Sequence, residues 1–161
     1  MLRTAAADGG NLLLNISPSP EGNVPPESIK VLKQVGRWMK KYGPTIYEAT
    51  DRWKSTNPNP GAWTGQAAFE YTLKGSTIYL HVNRWAGTTL PIGALVNKVI
   101  SAHFYKGPEI KFTQKGQQLW LEGLPEKAPD LLDTVIELEV EGDIRPTLGA
   151  GHVLLDDDPW K

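Results

Sequence analysis

The sequence predicts a mainly β protein: an antiparallel β-sandwich preceded by one strand–helix unit. Three observations carry this. From residue 66 onward the apolar period is two, the spacing of a half-buried strand. Before that lies one stretch, residues 26–43, with clean helical spacing. The composition, with 16 Gly, 13 Pro and 6 Trp, suits short strands joined by many turns.

The chain opens on a run that reads as a strand wanting burial on both faces, Asn11-Leu12-Leu13-Leu14-Asn15-Ile16-Ser17. A Pro/Gly-punctuated loop, SPSPEGNVPP, follows. Pro26 suits a first helical turn, and Glu27 complements the positive end of the helix dipole. Ile29, Leu32, Val35, Met39 and Tyr42 recur at helical spacing, Lys40 and Lys41 load the last turn, and Gly43-Pro44 stops it. Strand, loop and helix together form one βα unit of the kind found in an α/β barrel.

From Gly43 the pattern turns irregular. The segment around Asn57-Pro58-Asn59-Pro60 holds Tyr47, Trp53 and Trp63, which marks a packed linker. Phe69, Tyr71 and Leu73 then alternate with polar neighbours. Lys74-Gly75-Ser76 reads as a hairpin turn into Thr77–Val82. Further strands are expected at 98–105, 111–114, 118–121 and 134–141. The tail after Gly142 holds one apolar patch, Val153–Leu155, and three consecutive acids, Asp156–Asp158. The expected organisation is residues 1–50 as strand and helix, 51–65 as linker, 66–142 as sandwich and 143–161 as tail.

Net charge is −1, from 17 Lys and Arg against 18 Asp and Glu, which argues against a nucleic-acid-binding module. With no cysteine, thiol catalysis, thiolate metal sites and disulfides are excluded. No apolar run reaches the length of a membrane helix, and the first ten residues lack the apolar core of a signal peptide. If Met1 is the true start, a cytoplasmic location follows. His81, His103 and His152 lack metal-ligand spacing, so neither a metal nor another cofactor is expected.

The run GGNLLLNISPSPEGNVPP, followed by VLKQVGRWMKKYGPTIYEAT, resembles the end of the catalytic barrel of retaining α-L-fucosidases. Gly9–Ile16, Gly22, Pro25, Pro26, Gly36, Trp38, Gly43, Ile46, Tyr47 and Thr50 match that family's pattern. Residues 69–142 are similar to the family's C-terminal β-sandwich, so the resemblance covers about residues 8–142. Ser17 stands where the family has Gly, and Pro44-Thr45 where it has Glu-Ala. The resemblance implies the last βα unit of the barrel plus the sandwich, with a carbohydrate as partner. The family's nucleophile and acid/base lie upstream of the matching segment, so no catalytic residue carries over.

Glycoside hydrolysis generally needs two carboxyl groups, about 5–5.5 Å apart for retention and about 6.5–9.5 Å for inversion. Glu137, Glu139 and Glu141 alternate with apolar residues, which places all three on one strand face, neighbours about 6.6–7 Å apart. Such a face is ordinarily just solvated, as is that of Glu70. Glu137, Glu139 and Glu70 are therefore candidate carboxylates only for a newly built pair. Sugar C–H faces stack on aromatic rings, which makes Trp53, Trp63 and Trp85, with Asp51 and Arg84, the candidate sugar platform. Packing against a neighbouring domain would place the same residues there.

Two readings follow. The first is a fucosidase-like fragment without catalytic residues. The second is a small stand-alone carbohydrate-active protein, either a glycan-binding module or a glycosidase whose carboxylate pair is new or assembled between subunits. Either way, the apolar surface of residues 11–16 and 29–42 calls for pairing with the sandwich or with a second chain in a homo-oligomer.

Overall fold

The computed structural model describes residues 1–7, 9–49, 69–93 and 95–144. The elements are α1 (Leu2–Ala7), α2 (Pro26–Tyr42), a 3₁₀ turn at Gly43–Thr45, and seven strands: β1 (Phe69–Lys74), β2 (Thr77–Val82), β3 (Thr89–Ile92), β4 (Val99–Phe104), β5 (Lys111–Lys115), β6 (Gln118–Glu122) and β7 (Thr134–Val140). All strand pairs are antiparallel. One sheet runs β1-β2-β7-β4, the other β3-β6-β5.

The period-two pattern becomes a core shared by both sheets. Phe69, Tyr71, Ile78, Leu80, Ile136, Leu138 and Val140 come from the first sheet; Leu90, Ile92, Leu119 and Leu121 from the second. A side-chain period of two fixes the register, because a one-residue slip would turn every one of these to the other face. Both hairpin turns pass through a glycine in the left-handed region, Gly75 at φ 59° and Gly116 at φ 56°.

The sheet edges are blunted. β3 carries Pro91 and β5 exposes Lys111 and Lys115. The register of β4 shifts between Val99 and Ser101, and His103 bridges to Glu109. These are the devices by which edge strands avoid pairing with other chains. α1 lies against β1.

Helix α2 forms as its sequence dictates. Pro26 sits in the first turn, Glu27 follows, Lys40 and Lys41 load the last turn, and the Gly43 N–H closes on the Met39 carbonyl. It continues into the 3₁₀ turn, where the Thr45 carbonyl accepts from the Thr72 hydroxyl on β1.

The opening run departs from expectation. Residues 11–17 form no strand and pair with none of the described strands. Leu13, Leu14 and Ile16 are exposed, Leu13 at 86%. An apolar run states a demand for burial without supplying a ladder partner, and the edges at β3, β4 and β5 are blunted. The element that does precede α2 is α1, which the sequence reading did not anticipate.

Candidate functional site

The outer face of the four-stranded sheet gathers the polar side chains that alternate with the core. Its register lines up two cross-strand rows: Glu70–His81–Val135, and Thr72–Tyr79–Glu137–His103. α1 and α2 cover the first row.

Arg3, projecting from α1, organises that row. Its Nη1 donates to Asp133 Oδ1 at 3.0 Å, and its Nε lies 3.6 Å from Glu70 Oε2. The Thr4 hydroxyl donates to Glu70 at 2.9 Å. Asp133 Oδ2 lies 2.9 Å from His81 Nδ1. His81 is wholly enclosed, its ring 6.5 Å from that of Trp38. Its Nε2 has no hydrogen-bond partner among the described residues. Two buried carboxylates thus share one guanidinium, an arrangement tolerable in a low dielectric only because each is also hydrogen-bonded.

A second cluster pins the end of α2. Asp130 accepts from Lys41 Nζ at 2.8 Å, from the Tyr42 hydroxyl at 2.9 Å and from the Leu132 N–H at 3.0 Å. Partial burial pushes the Asp130 carboxyl up, but these donors together outweigh it and hold the group below its ordinary value. The Asp130 hydrogen bond raises Lys41. Burial raises the Tyr42 and Tyr79 phenols, with the charge of Glu137 adding to the latter.

The sequence-predicted residues divide accordingly. Glu137 and Glu139 share a face of β7 as expected, Glu137 half-buried between Tyr79 and His103, Glu139 exposed. Glu70 is not on a solvated face: α1 covers it, and Arg3 and Thr4 engage it. Trp85 is half-buried against the core, its ring stacked on Phe104 and its Nε1 donating to the Pro125 carbonyl at 2.7 Å. Arg84 is exposed. Asp51, Trp53 and Trp63 lie outside the described residues. Arg3, Thr4 and Asp133 were missed; the signal for them was His81, a polar residue at a covered strand position that needs a partner. Among the described residues no three metal-ligating side chains gather, and no helix is long and apolar enough to cross a membrane.

These features define a β-sandwich whose outer face carries a short and a long helix. Comparison with known proteins shows what it is similar to. Residues 1–44 match the α-L-fucosidase family model. The chain is 33% identical over 85 residues to the α-L-fucosidase of Branchiostoma floridae, covering 53% of this chain and 18% of that protein. It is 29% identical over 131 residues to the tissue α-L-fucosidase of Bos taurus, covering 78% and 26%. Among solved structures, α-L-fucosidase isoenzyme 1 from Paenibacillus thiaminolyticus superposes with a TM-score of 0.71 at 27% identity, over 87% of this chain and 33% of that one. The Thermotoga maritima α-fucosidase gives 0.67 at 25%, again over 87% and 33%. The chain is similar to a part of the α-L-fucosidases, spanning 18% and 26% of the length of the two curated relatives named here.

Proposed function

We propose that this chain is a carbohydrate-associated β-sandwich of the α-L-fucosidase type that does not turn over glycosides by itself. The observation that carries the reading is how the carboxylates gathered around α1 and the end of α2 are committed. Asp133 is held by Arg3 and His81, Glu70 by Arg3 and Thr4, and Asp130 by Lys41 and Tyr42. A glycosidase needs an acid and a base or nucleophile facing an open space. The resemblance to the family likewise puts its nucleophile and acid/base upstream of the matching segment. The test is release of aryl alcohol from aryl α-L-fucosides and other aryl glycosides. No release is expected; turnover abolished by Glu137→Gln or Glu139→Gln would replace this reading with a newly assembled active site.

The carbohydrate contact is read through the exposed Arg84 and, beyond the described residues, Asp51, Trp53 and Trp63, while the half-buried Trp85 serves as packing against Phe104. Binding to fucosylated glycans that disappears on Trp53→Ala or Arg84→Ala supports it. Self-association through residues 11–16 and 29–42 belongs to the same reading, supported by the exposure of Leu13, Leu14, Ile16, Ile29 and Val31. Sedimentation showing only monomer at high micromolar concentration would remove it.

A further inference from the structure

The three-stranded sheet has an outer face that the site above leaves unused. α1 lies against β1, and α2 brings Trp38 to His81, both over the other sheet. On β6, Leu119 and Leu121 are buried in the core, so Gln118, Trp120 and Glu122 point the opposite way. The register sets Pro91 of β3 and Thr113 of β5 on either side of Trp120. It sets Thr89 and Lys111 on either side of Glu122, and Lys115 beside Gln118. Thr89, Lys111, Thr113, Lys115 and Glu122 are exposed. Trp120 is half-buried and, unlike Trp85 and Phe112, is not packed against the core cluster. Directly opposed side chains stand about 5 Å apart, and neither a pyrrolidine nor a threonine is broad enough to cover an indole.

An aromatic plate set among hydroxyls and charges of both signs fits few occupants. The strands are four or five residues long. At ordinary strand rise and spacing they make a face of about 14 by 15 Å, or ~200 Å². A stable protein partner needs about 800 Å² on each side. A nucleic acid needs a basic excess, whereas Glu122 here stands directly across from Lys111. A neutral saccharide meets every condition. One face of a pyranose ring presents C–H groups to an indole, and its rim presents hydroxyls that both donate and accept. The sheet has no walls at this face, so a sugar unit inside a chain fits as well as a terminal one.

We propose that the outer face of β3-β6-β5 is a carbohydrate-binding platform for neutral oligosaccharides. Trp120 stacks on one pyranose ring, and Thr89, Lys111, Thr113 and Glu122 hydrogen-bond the hydroxyls around it. Glu122 and Lys111 lie two residues along their strands from Trp120 and Thr113, about 7 Å away, so the polar contacts fall to one side of the stacked ring. The inference rests on the reading that a carbohydrate is this chain's partner. It names a different surface, because Arg84 follows β2 in the other sheet.

The test is a titration of the full chain, isotope-labelled at tryptophan, with cellohexaose and with 2′-fucosyllactose, following the indole N–H resonances by NMR. Trp120→Phe deletes one resonance and so assigns it. The expected result is a saturable shift of the Trp120 resonance with at least one of the two sugars. By calorimetry the Kd for that sugar rises at least about tenfold in Trp120→Ala, and less in Trp120→Tyr, which keeps a ring. Raising NaCl from about 0.05 M to about 0.5 M changes Kd by less than about twofold, because a neutral ligand offers no charge to screen. Arg84→Ala leaves the Trp120 shift in place. Circular dichroism checks the folding of each variant. Shifts confined to other indoles and abolished by Arg84→Ala would overturn the platform and leave the carbohydrate reading standing. A still Trp120 resonance with both sugars overturns it whether or not fucosylated glycans bind elsewhere, as does a Kd unchanged in Trp120→Ala. A Trp120 shift seen only with a sulfated polysaccharide and lost at high salt overturns it as well, since the face would then select charge.

Discussion

Arg3→Met tests whether one guanidinium holds α1 on the sheet. A six-residue helix is about 9 Å long. Isolated helices shorter than about 12–15 residues are marginal in water, so α1 exists only while docked. Its polar attachment is Arg3 to Asp133 and Glu70, with Thr4 to Glu70. The two carboxylate side chains are 1% and 9% exposed, whereas Arg3 is 24% exposed. Removing one partner of a buried ion pair costs about 3–5 kcal/mol; the partial exposure of Arg3 argues for the low end, about 3. The variant can limit this cost by letting α1 leave, which rehydrates both carboxylates. The effect is therefore local first. Hydrogen exchange at residues 2–7 accelerates about 100-fold, against at most about 2–4 °C of Tm per kcal/mol lost globally for a chain of this size. Arg3→Lys keeps the charge without the planar fork and falls between. If α1 amides in Arg3→Met exchange within roughly threefold of the unaltered chain, and Tm moves by less than about 1 °C, the latch does not exist.

Further outcomes follow from the same geometry. Asp130 has a folded pKa below its ordinary 3.8, so its contribution is present above that value and is lost as pH falls through and below it. Asp130→Asn should flatten that acid limb in thermal melts, by about 0.5–1 kcal/mol as befits a partly exposed pair. Lys41 is raised above 10.5 and Tyr42 above 10.0; their contributions hold below those values and fade as pH rises through the folded pKa values. An Asp130→Asn melt still losing stability below pH 4 in parallel with the parent would exclude this group as the source. Trp85→Ala should cost about 2–3 kcal/mol in urea unfolding, below the usual 3–5 because the ring is half-buried; a neutral result would make Trp85 a surface platform rather than packing. Gly75→Ala places a side chain at φ 59° and should cost about 1–2 kcal/mol, with a cost under about 0.3 counting against that turn geometry.

The sandwich was legible because its strands announce themselves one residue in two. Phe69, Tyr71 and Leu73 on β1, and Ile136, Leu138 and Val140 on β7, alternate without a break, and the helix stop at Gly43-Pro44 is unambiguous. β3 was not legible: four residues are too few for a period, and Pro91 reads as a breaker although an edge strand tolerates it. α1 was invisible for a related reason. Arg-Thr-Ala-Ala-Ala has no apolar stripe, and its helicity comes from contacts with residues roughly 65 and 130 positions away. The same long-range contact reversed the reading of Glu70. Alternation placed it correctly on the outer face, but only the fold shows that α1 covers that face there. Trp85 likewise looked free because its partners, Phe104 and Pro125, are distant in sequence.

The blunted strand ends of the sandwich also decide what kind of crowd this chain can form. Proline on β3, lysines on β5 and the irregularity in β4 deny a neighbour the straight row of amides along which fibrils elongate. Whatever sticks to the exposed leucines and the helix meets side chains, not open backbone, and such contacts close on themselves instead of extending. Concentrating the protein should therefore drive it toward small assemblies of fixed stoichiometry, with light scattering that levels off and no thioflavin-positive fibres.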